Sequence, residues 1–362
     1  MDCEQEIIDL TKKLIEFKTT PDNEDEINKC MDFIEGYFMP HNVHVKRYQQ
    51  KNVMPCMVIT FNGRRESKFF LNGHIDVVDA DEALFKPKIK GTKLLGRGAV
   101  DMKSAVATYM VLMKNLSALE KRPSLGLMIV SDEEVGGVQG TQFLLDKRGY
   151  KCDFAITGES SLFNVEILHK ETLALKVITH GKNSHASRPW RGDNALDKLF
   201  DIYKQLTKKY NKATKNRKWN ATCVLTNVKA IGPSNTVPDI AEGVFDIRLT
   251  EKYDSKEIIK FVKSMGADTE VLLHGGMLNT SKDNPYVQSL KGITHDILKK
   301  TIRYTKSCGS SDTRYFTEKK IPAVNFGPTG GRHHTNDEYV RHKLLIKYYQ
   351  ILERFMLENG LL

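Results

Sequence analysis

The sequence predicts an α/β fold: a mostly parallel sheet with helices on both faces, interrupted by an inserted α+β domain. Three observations carry that expectation. Up to residue 171, short apolar runs bounded by turn or charged residues alternate with helical stretches. From residue 172 the texture changes to alternating, half-exposed strands, and near residue 282 the first texture returns. At 362 residues, the chain also exceeds one ordinary small domain, so two domains are the starting expectation.

Residues 4–18 place Ile7, Ile8, Leu14, Ile15 and Phe17 at helical spacing. The run CMVITF at 56–61 ends on Asn62-Gly63, a turn signal. Runs at 69–71 (FFL), 125–130 (LGLMIV) and 154–157 (FAIT) follow, each of the kind a strand buried on both faces requires. Helices are expected at 103–118 and 139–149. Beyond residue 172, Leu173, Leu175 and Val177 alternate with their neighbours as on a half-exposed strand. An amphipathic helix over 194–212 carries Leu196, Leu199, Ile202, Tyr203 and Leu206. Strands at 221–231 and 243–250, a helix near 255–265 and a strand at 270–273 complete the order β-α-β-β-α-β, the ferredoxin-like motif. The α/β texture resumes with a helix near 285–301, a strand at 323–326 and a closing helix after Glu338. The expected division is 1–171 plus 282–362 for the α/β domain and 172–281 for the insert.

Hydrophobic residues at 40% and charged residues at 28% suit a folded globular chain and exclude a disordered one. No apolar run approaches the roughly 20 residues that span a bilayer. The N-terminus, MDCEQEIIDL, lacks the basic stretch and apolar core of a signal peptide. A cytoplasmic protein with no membrane partner is expected. Cys3, Cys30, Cys56, Cys152, Cys223 and Cys308 form neither CxxC nor a zinc-finger spacing, so they read as free thiols of a reducing compartment. The formal net charge of +10 suits either a nucleic acid or a small anionic substrate. Residues 208–218 carry six basic residues and no acid, but basic charge also favours a helix C-terminus. No nucleic-acid motif accompanies the run, so nucleic acid is not an expected partner.

Acids and histidines recur just after the inferred strands, at the edge where open α/β sheets bind ligands. His74 and Asp76 stand two apart on one face of an extended segment, the arrangement of a metal-ligating histidine and its orienting carboxylate. Asp101 precedes a helix in GRGAVDMK. Asp132, Glu133 and Glu134 follow the strand at 125–130. Three consecutive acids beyond a hydrophobic strand are costly to gather unless a cation neutralises them. Glu159 follows 154–157, and GPTGGRHHTNDE follows 323–326. Singly, each is more often structural: a satisfied histidine or a solvated acidic loop. Their coincidence at five strand exits points to metal. The mixed His and carboxylate set suits zinc, with cobalt or manganese as substitutes.

The segments HIDVV, GRGAVDMK, SDEEVGG, TGES and HHTNDEYV resemble the M20 metallopeptidase family. That family includes desuccinylases, deacetylases, aminoacylases and carboxypeptidases acting on linear amides. The resemblance covers essentially the whole chain, in order, with the insert in place. It implies a di-zinc catalytic domain and an inserted lid and dimerisation domain. By motif, His74 and Glu159 would bind one zinc, Glu134 and His334 the second, and Asp101 both. His334 is chosen over His333 because the family histidine lies directly before the short run leading to Glu338. Glu133 would be the general base, Asp76 would hold the His74 ring, and the peptide bond after Asp101 would be cis. The physical logic agrees: two metals roughly 3.5–4 Å apart activate water and polarise a carbonyl, and an acid beside a ligand can shuttle the proton.

Within the insert, HGKNSHASRP resembles the family segment GxxxHxxxP. This implies a homodimer in which His185 reaches the other subunit's site and stabilises the oxyanion. The segment SNTVP and the strand holding Asp246 and Arg248 resemble substrate-contacting parts of the desuccinylase lid. Arg248 suits a substrate carboxylate because its fork makes a two-pronged contact, although a strand-surface charge is the other reading. The loop SCGSSDTRYF at 307–316 resembles the small-residue loop of the desuccinylases, a backbone cradle for a carboxylate. Asn235, Arg248, Ser310, Ser311 and Gly330 are then the candidate substrate-binding residues. The sequence departs from the desuccinylase pattern in Gly-Glu-Ser-Ser at 158–161 and in Cys308. The expected substrate is an anionic N-acyl amino acid, N-succinyl-LL-diaminopimelate first. Acetylornithine, other N-acyl amino acids and dipeptides are the alternatives.

Overall fold

A computed structural model describes residues 2–50, 53–230 and 232–361. Two compact units form: Met1–Leu168 with Leu278–Thr305 and Ser311–Leu362, and His169–Met277 with Lys306–Ser310. These boundaries fall at 168/169 and 277/278, where the sequence pattern placed them at 171/172 and 281/282. The segment Lys306–Ser310, expected with the α/β part, groups with the second unit. There Lys306 Nζ lies 4.8 Å from the Trp219 ring centroid, and the Cys308 thiol donates to the Lys218 carbonyl at 3.6 Å.

The first unit is built on a sheet with strand order His44–Gln50, Val53–Thr60, Leu125–Val130, Glu66–His74, Lys151–Thr157, Ala323–Asn325, Val165–His169 and Leu278–Asn279. Its four central strands pair in parallel. The first two pairings at one edge, and that between Ala323–Asn325 and Val165–His169, are antiparallel. Side chains along the central strands alternate between two cores. Phe69, Leu71, Leu127, Ile129, Phe154 and Ile156 face one core; Phe70, Met128, Val130 and Ala155 face the other. Burial on both faces explains why these strands read as unbroken apolar runs. The larger core is closed by helices Cys3–Glu16, Glu24–Phe38, Lys103–Ser117, Pro285–Leu298 and Leu345–Gly360. Lys103–Ser117 is buried almost all round, which accounts for its lack of a polar face.

Several elements escaped the apolar pattern, three of them in or against the large sheet. Strand His44–Gln50 is polar because it lies at the sheet edge. Helix Glu24–Phe38 buries Ile27, Met31, Ile34 and Phe38 on one stripe, behind a heavily acidic first turn. Strand Val165–His169 is short and half-buried. The helix expected at 139–149 is instead a π-helical turn, Val138–Gln142, leading into Phe143–Asp146. The Asp132 carboxylate captures the Gln139 and Gly140 N–H groups at 2.6 and 3.0 Å, diverting the backbone there.

The second unit has the order β-α-β-β-α-β. Strands Glu171–His180, Thr222–Ala230, Ile240–Leu249 and Asp268–Gly275 form one antiparallel sheet, with helices Ala195–Tyr210 and Ser255–Ser264. Its spatial order places Ile240–Leu249 and Glu171–His180 in the middle. Ile240–Leu249 alternates strictly between buried and half-buried residues, so a single face packs on the helices through Leu175, Phe245, Leu199 and Ile258. Of the strand expected at 221–231, Ile231 lies outside the described residues. The basic run at 208–218 begins in the last turn of Ala195–Tyr210, where Lys208 and Lys209 meet the helix C-terminus. Among the described residues, no helix is long and apolar enough to cross a membrane.

Candidate active site

The C-terminal ends of the parallel strands deliver the acids and histidines to one place. His74 ends strand Glu66–His74, Glu133 and Glu134 follow Leu125–Val130, and Glu159 follows Lys151–Thr157. Asp101 sits at the entrance to helix Lys103–Ser117, and the Asp101–Met102 peptide bond is cis. His334 has a φ of 58°, in a turn between strands Gly330–Gly331 and Tyr339–Arg341.

Two three-residue sets form, each with its ligand atoms within 4.8 Å of one another: His74, Asp101 and Glu159, and Asp101, Glu134 and His334. Asp101 belongs to both. Its Oδ1 lies 3.1 Å from His74 Nε2, and its Oδ2 lies 3.2 Å from His334 Nε2. Glu159 Oε1 is 3.5 Å from His74 Nε2, and Glu134 Oε1 is 3.2 Å from His334 Nε2. His333 is exposed and in neither set.

The donor set fits a pair of metal ions. It holds imidazole nitrogens and carboxylate oxygens, the ligands of zinc and its neighbours. His74 Nδ1 lies 2.9 Å from the Asp76 carbonyl oxygen. That carbonyl can only accept, so in the neutral ring the hydrogen is on Nδ1 and the Nε2 lone pair faces Asp101 and Glu159. The Asp76 carboxylate is farther, at 3.5 Å from Nδ1. Its Oδ2 instead accepts the Glu134 N–H at 2.8 Å, so Asp76 holds the ring with its backbone and the Glu134 turn with its side chain.

The electrostatics carry the same demand for positive charge. Burial works against protonation of His74, but Asp101, Asp76 and Glu159 together raise its pKa well above the ordinary value. Hydrogen bonds to Asp101 and Glu134 push His334 up to about 10. Burial opposes the charge on Asp101, yet its bonds to His334 and His74 hold it low. Burial and the Asp101 charge push Glu159 up to about 7. Burial raises Glu133 well above the usual carboxylate range, with His74 pulling back. Glu133 stands beside Glu134 but in neither ligand set.

One structural residue went unassigned at the sequence level. Glu338 is fully buried. Its Oε2 accepts from Arg97 Nη1 at 2.6 Å and from the Gly98 N–H at 3.1 Å, and its Oε1 accepts from the Val100 and Asp101 N–H groups at 3.0 and 3.2 Å. It thereby fixes the loop that presents Asp101. Arg97 and Glu338 both lie within quoted motifs, but 241 residues separate them, and no local pattern reveals the pair. Breaking it leaves Arg97 buried without its carboxylate. Glu338→Ala is therefore expected to cost about 3–5 kcal/mol, read from urea unfolding; an unchanged midpoint would refute the role.

The substrate candidates divide between the units. Ser311 and Gly330 belong to the first unit; His185, Asn235, Arg248 and Ser310 belong to the second. Ser311, expected in an open cradle, is 2% exposed, and its hydroxyl is engaged by Thr313 at 2.6 Å and Asn325 at 2.9 Å. Gly330 pairs with Val340, and a Cβ there would press on that of Val100 at 2.8 Å. Arg248, expected to offer its fork to substrate, is already held by Asp246 through Nε and Nη2 at 2.8 and 2.9 Å, and by Thr172. His185 and Asn235 come together: Ser184–His185 pairs with Thr236–Val237, and the Ala186 N–H donates to the Asn235 carbonyl. His185 is exposed, and its Nδ1 accepts the Ser187 N–H at 3.1 Å. In the neutral ring the hydrogen is therefore on Nε2, facing outward as a donor.

Residues 70–358 match the peptidase family M20/M25/M40. Similar curated proteins include succinyl-diaminopimelate desuccinylases. That of Pelagibacter ubique (strain HTCC1062) is 28% identical over 86% of this chain and 89% of its own length. That of Rickettsia akari (strain Hartford) is 27% identical over 96% and 98%. Among solved structures, aminopeptidase PepT from Bacillus cereus superposes with a TM-score of 0.78 at 17% identity, covering 98% of each chain. An M20 family metallo-carboxypeptidase from Sulfolobus solfataricus gives 0.76 at 17%, covering 98% of this chain and 99% of its own. A dinuclear metal-binding M20 peptidase from Bacillus subtilis gives 0.70 at 14%, covering 99% and 98%. With that match over most of its length, and two sets of candidate metal ligands sharing Asp101, the chain belongs to peptidase family M20/M25/M40 and is a metal-dependent hydrolase.

Proposed function

We propose that the protein hydrolyses the amide bond of an N-acyl amino acid, N-succinyl-LL-diaminopimelate first, releasing succinate and LL-diaminopimelate. The observation that carries this choice is the whole-length similarity to proteins bearing that activity's name. Peptide hydrolysis is the second reading, favoured by the likeness to an aminopeptidase and a metallo-carboxypeptidase.

The proposed metals are two zinc ions, replaceable by cobalt or manganese, held by His74 with Glu159, by Glu134 with His334, and by Asp101 in common. When bound, such a pair polarises the scissile carbonyl and acidifies water. The chain's own residues do the rest. Glu133 accepts the proton of the attacking water and returns it to the departing amine, so neither leaves as a high-energy ion. Asp76 keeps His74 and the Glu134 turn in register. His185, with its Nε2–H exposed, donates to the developing oxyanion in the site of a second copy. That role requires a homodimer joined through the second unit, whose edge strand Thr222–Ala230 exposes Val224 and Val228.

The test is a zinc-loaded substrate panel of succinyl-diaminopimelate, acetylornithine, other N-acyl amino acids and simple dipeptides. The succinylated substrate is expected to lead by at least about 100-fold in kcat/KM, since a site that pairs a polar group rejects analogues lacking it. Chelation should abolish turnover and added zinc restore it. No hydrolysis of any member would sink the reading, and a preference for dipeptides would select the second one.

A further inference from the structure

The turn that carries Glu133 and Glu134 is short and built on glycine. The Asp132 carbonyl accepts the Val135 and Gly137 N–H groups at 3.3 and 2.7 Å, and the Gly136 N–H bonds Glu133 O at 2.9 Å. Gly136 and Gly137 have φ values of 114° and 67°, a backbone that glycine adopts freely but that carries no side chain to hold it in place. The turn is gripped from beneath instead. Arg314 Nη2 donates to the Gly136 carbonyl at 2.8 Å, and the Tyr315 hydroxyl donates to the same oxygen. Both side chains are buried, at 4% and 3% exposure. The other guanidinium nitrogen, Nη1, donates to Ser311 O at 3.2 Å.

A chain of buried polar groups continues from this grip, where Arg314 Nη2 lies 3.8 Å from Asp312 Oδ1. Asp312 Oδ2 accepts from Thr141 Oγ1 at 2.5 Å, Thr141 accepts from Asn72 Nδ2 at 2.9 Å, and Asn72 Oδ1 accepts from Thr157 Oγ1 at 3.2 Å. Asn72 stands two residues before His74, and Thr157 two before Glu159. Burying so many polar groups costs stability that an apolar filling would not, while each buried hydrogen bond restrains the groups it joins.

We propose that Arg314 and Tyr315 are positioning residues: a buried clamp on the Gly136 carbonyl that sets where Glu133 stands against the bound substrate. The Asn72–Thr141–Asp312 chain references that clamp to the strands that deliver His74 and Glu159. The inference rests on reading Glu133 as the general base, but the clamp itself is testable without turnover. It also assigns Arg314 to the turn, leaving substrate carboxylates to other residues.

The experiment compares Tyr315→Phe and Arg314→Lys with the wild type, each zinc-loaded and full length. Peptide-level hydrogen exchange should quicken about 10-fold over residues 131–137 and nowhere else in the first unit, the scale of one lost hydrogen bond to a buried carbonyl. Turnover should fall about 10- to 100-fold in kcat, as an ångström-scale misplacement does, with KM within about 3-fold and two metals still bound. Wild-type exchange over 131–137 in Tyr315→Phe overturns the clamp, whatever the fate of Arg314→Lys. A raised KM at unchanged kcat in Arg314→Lys overturns it as well, by making Arg314 a substrate contact. A wild-type enzyme that hydrolyses no panel member removes the proposed function, while the exchange result still decides the clamp.

Discussion

Glu133→Gln is expected to lower kcat about 10³-fold while two metal ions remain bound, the upper part of the range for loss of a positioned general base. The size of the effect follows from where Glu133 stands. It adjoins Glu134, which reaches His334 at 3.2 Å, yet it contributes to neither ligand set. Glutamine keeps the length and shape of the side chain, so packing around the turn is preserved. It cannot accept a proton from water or return one to the amine. A ligand, by contrast, would lose metal along with rate. Metal content by mass spectrometry and kcat on the best panel substrate therefore separate the two roles in one preparation. Near-wild-type turnover would show that another group moves the proton, and loss of one metal would make Glu133 a ligand.

The contrast between Glu133 and Glu134 shows what a sequence of this kind discloses. Strand exits are local features: a buried apolar run ends, and the next polar residues stand at the sheet edge. His74, Asp76, Glu133, Glu134 and Glu159 were legible for that reason, and so were the central strands on which they sit. Which of two adjacent histidines turns inward is set by backbone conformation. Residue type and spacing alone do not mark it: the family resemblance picked out His334, where the backbone has a left-handed φ of 58° and Nε2 lies 3.2 Å from Asp101 Oδ2. Long-range pairings are hidden for a different reason. Glu338 meets Arg97 across 241 residues, and Arg314 meets the Gly136 carbonyl across 178, so neither leaves a periodic trace. Ser311 misled for a related reason. A Ser-rich loop suggests an open cradle, but its hydroxyl is taken by the neighbouring Thr313 and by Asn325, and the latter partner becomes visible only once Ala323–Asn325 has joined the sheet. Strand His44–Gln50 was missed because an edge strand has no need of apolar residues on both faces.

Asp101→Asn should be the most damaging change to metal binding, because a single carboxylate serves both sets. Its two oxygens face opposite ways, Oδ1 toward His74 at 3.1 Å and Oδ2 toward His334 at 3.2 Å. Asparagine retains one acceptor oxygen and replaces the other with a donor, so one of the two sets must receive an N–H where a cation requires a lone pair. Replacing a residue that merely orients a ligand costs about 10- to 100-fold in metal affinity, so removing a shared ligand should cost at least about 100-fold at the weakened site. Binding to the folded state alone stabilises by mass action, and a 100-fold weaker site forfeits about 2.7 kcal/mol of that stabilisation at saturating zinc. The variant is thus expected to hold at most one metal per chain after dialysis, to show a smaller zinc-induced rise in Tm than the wild type, and to lose turnover. Glu338 still grips the backbone of residue 101 in this variant, since its bond is to the N–H, so the loop keeps its shape and the loss can be assigned to the side chain. Two zinc ions bound with wild-type affinity would show that Asp101 does not join the sets, and the reading of a shared metal pair would fall with it.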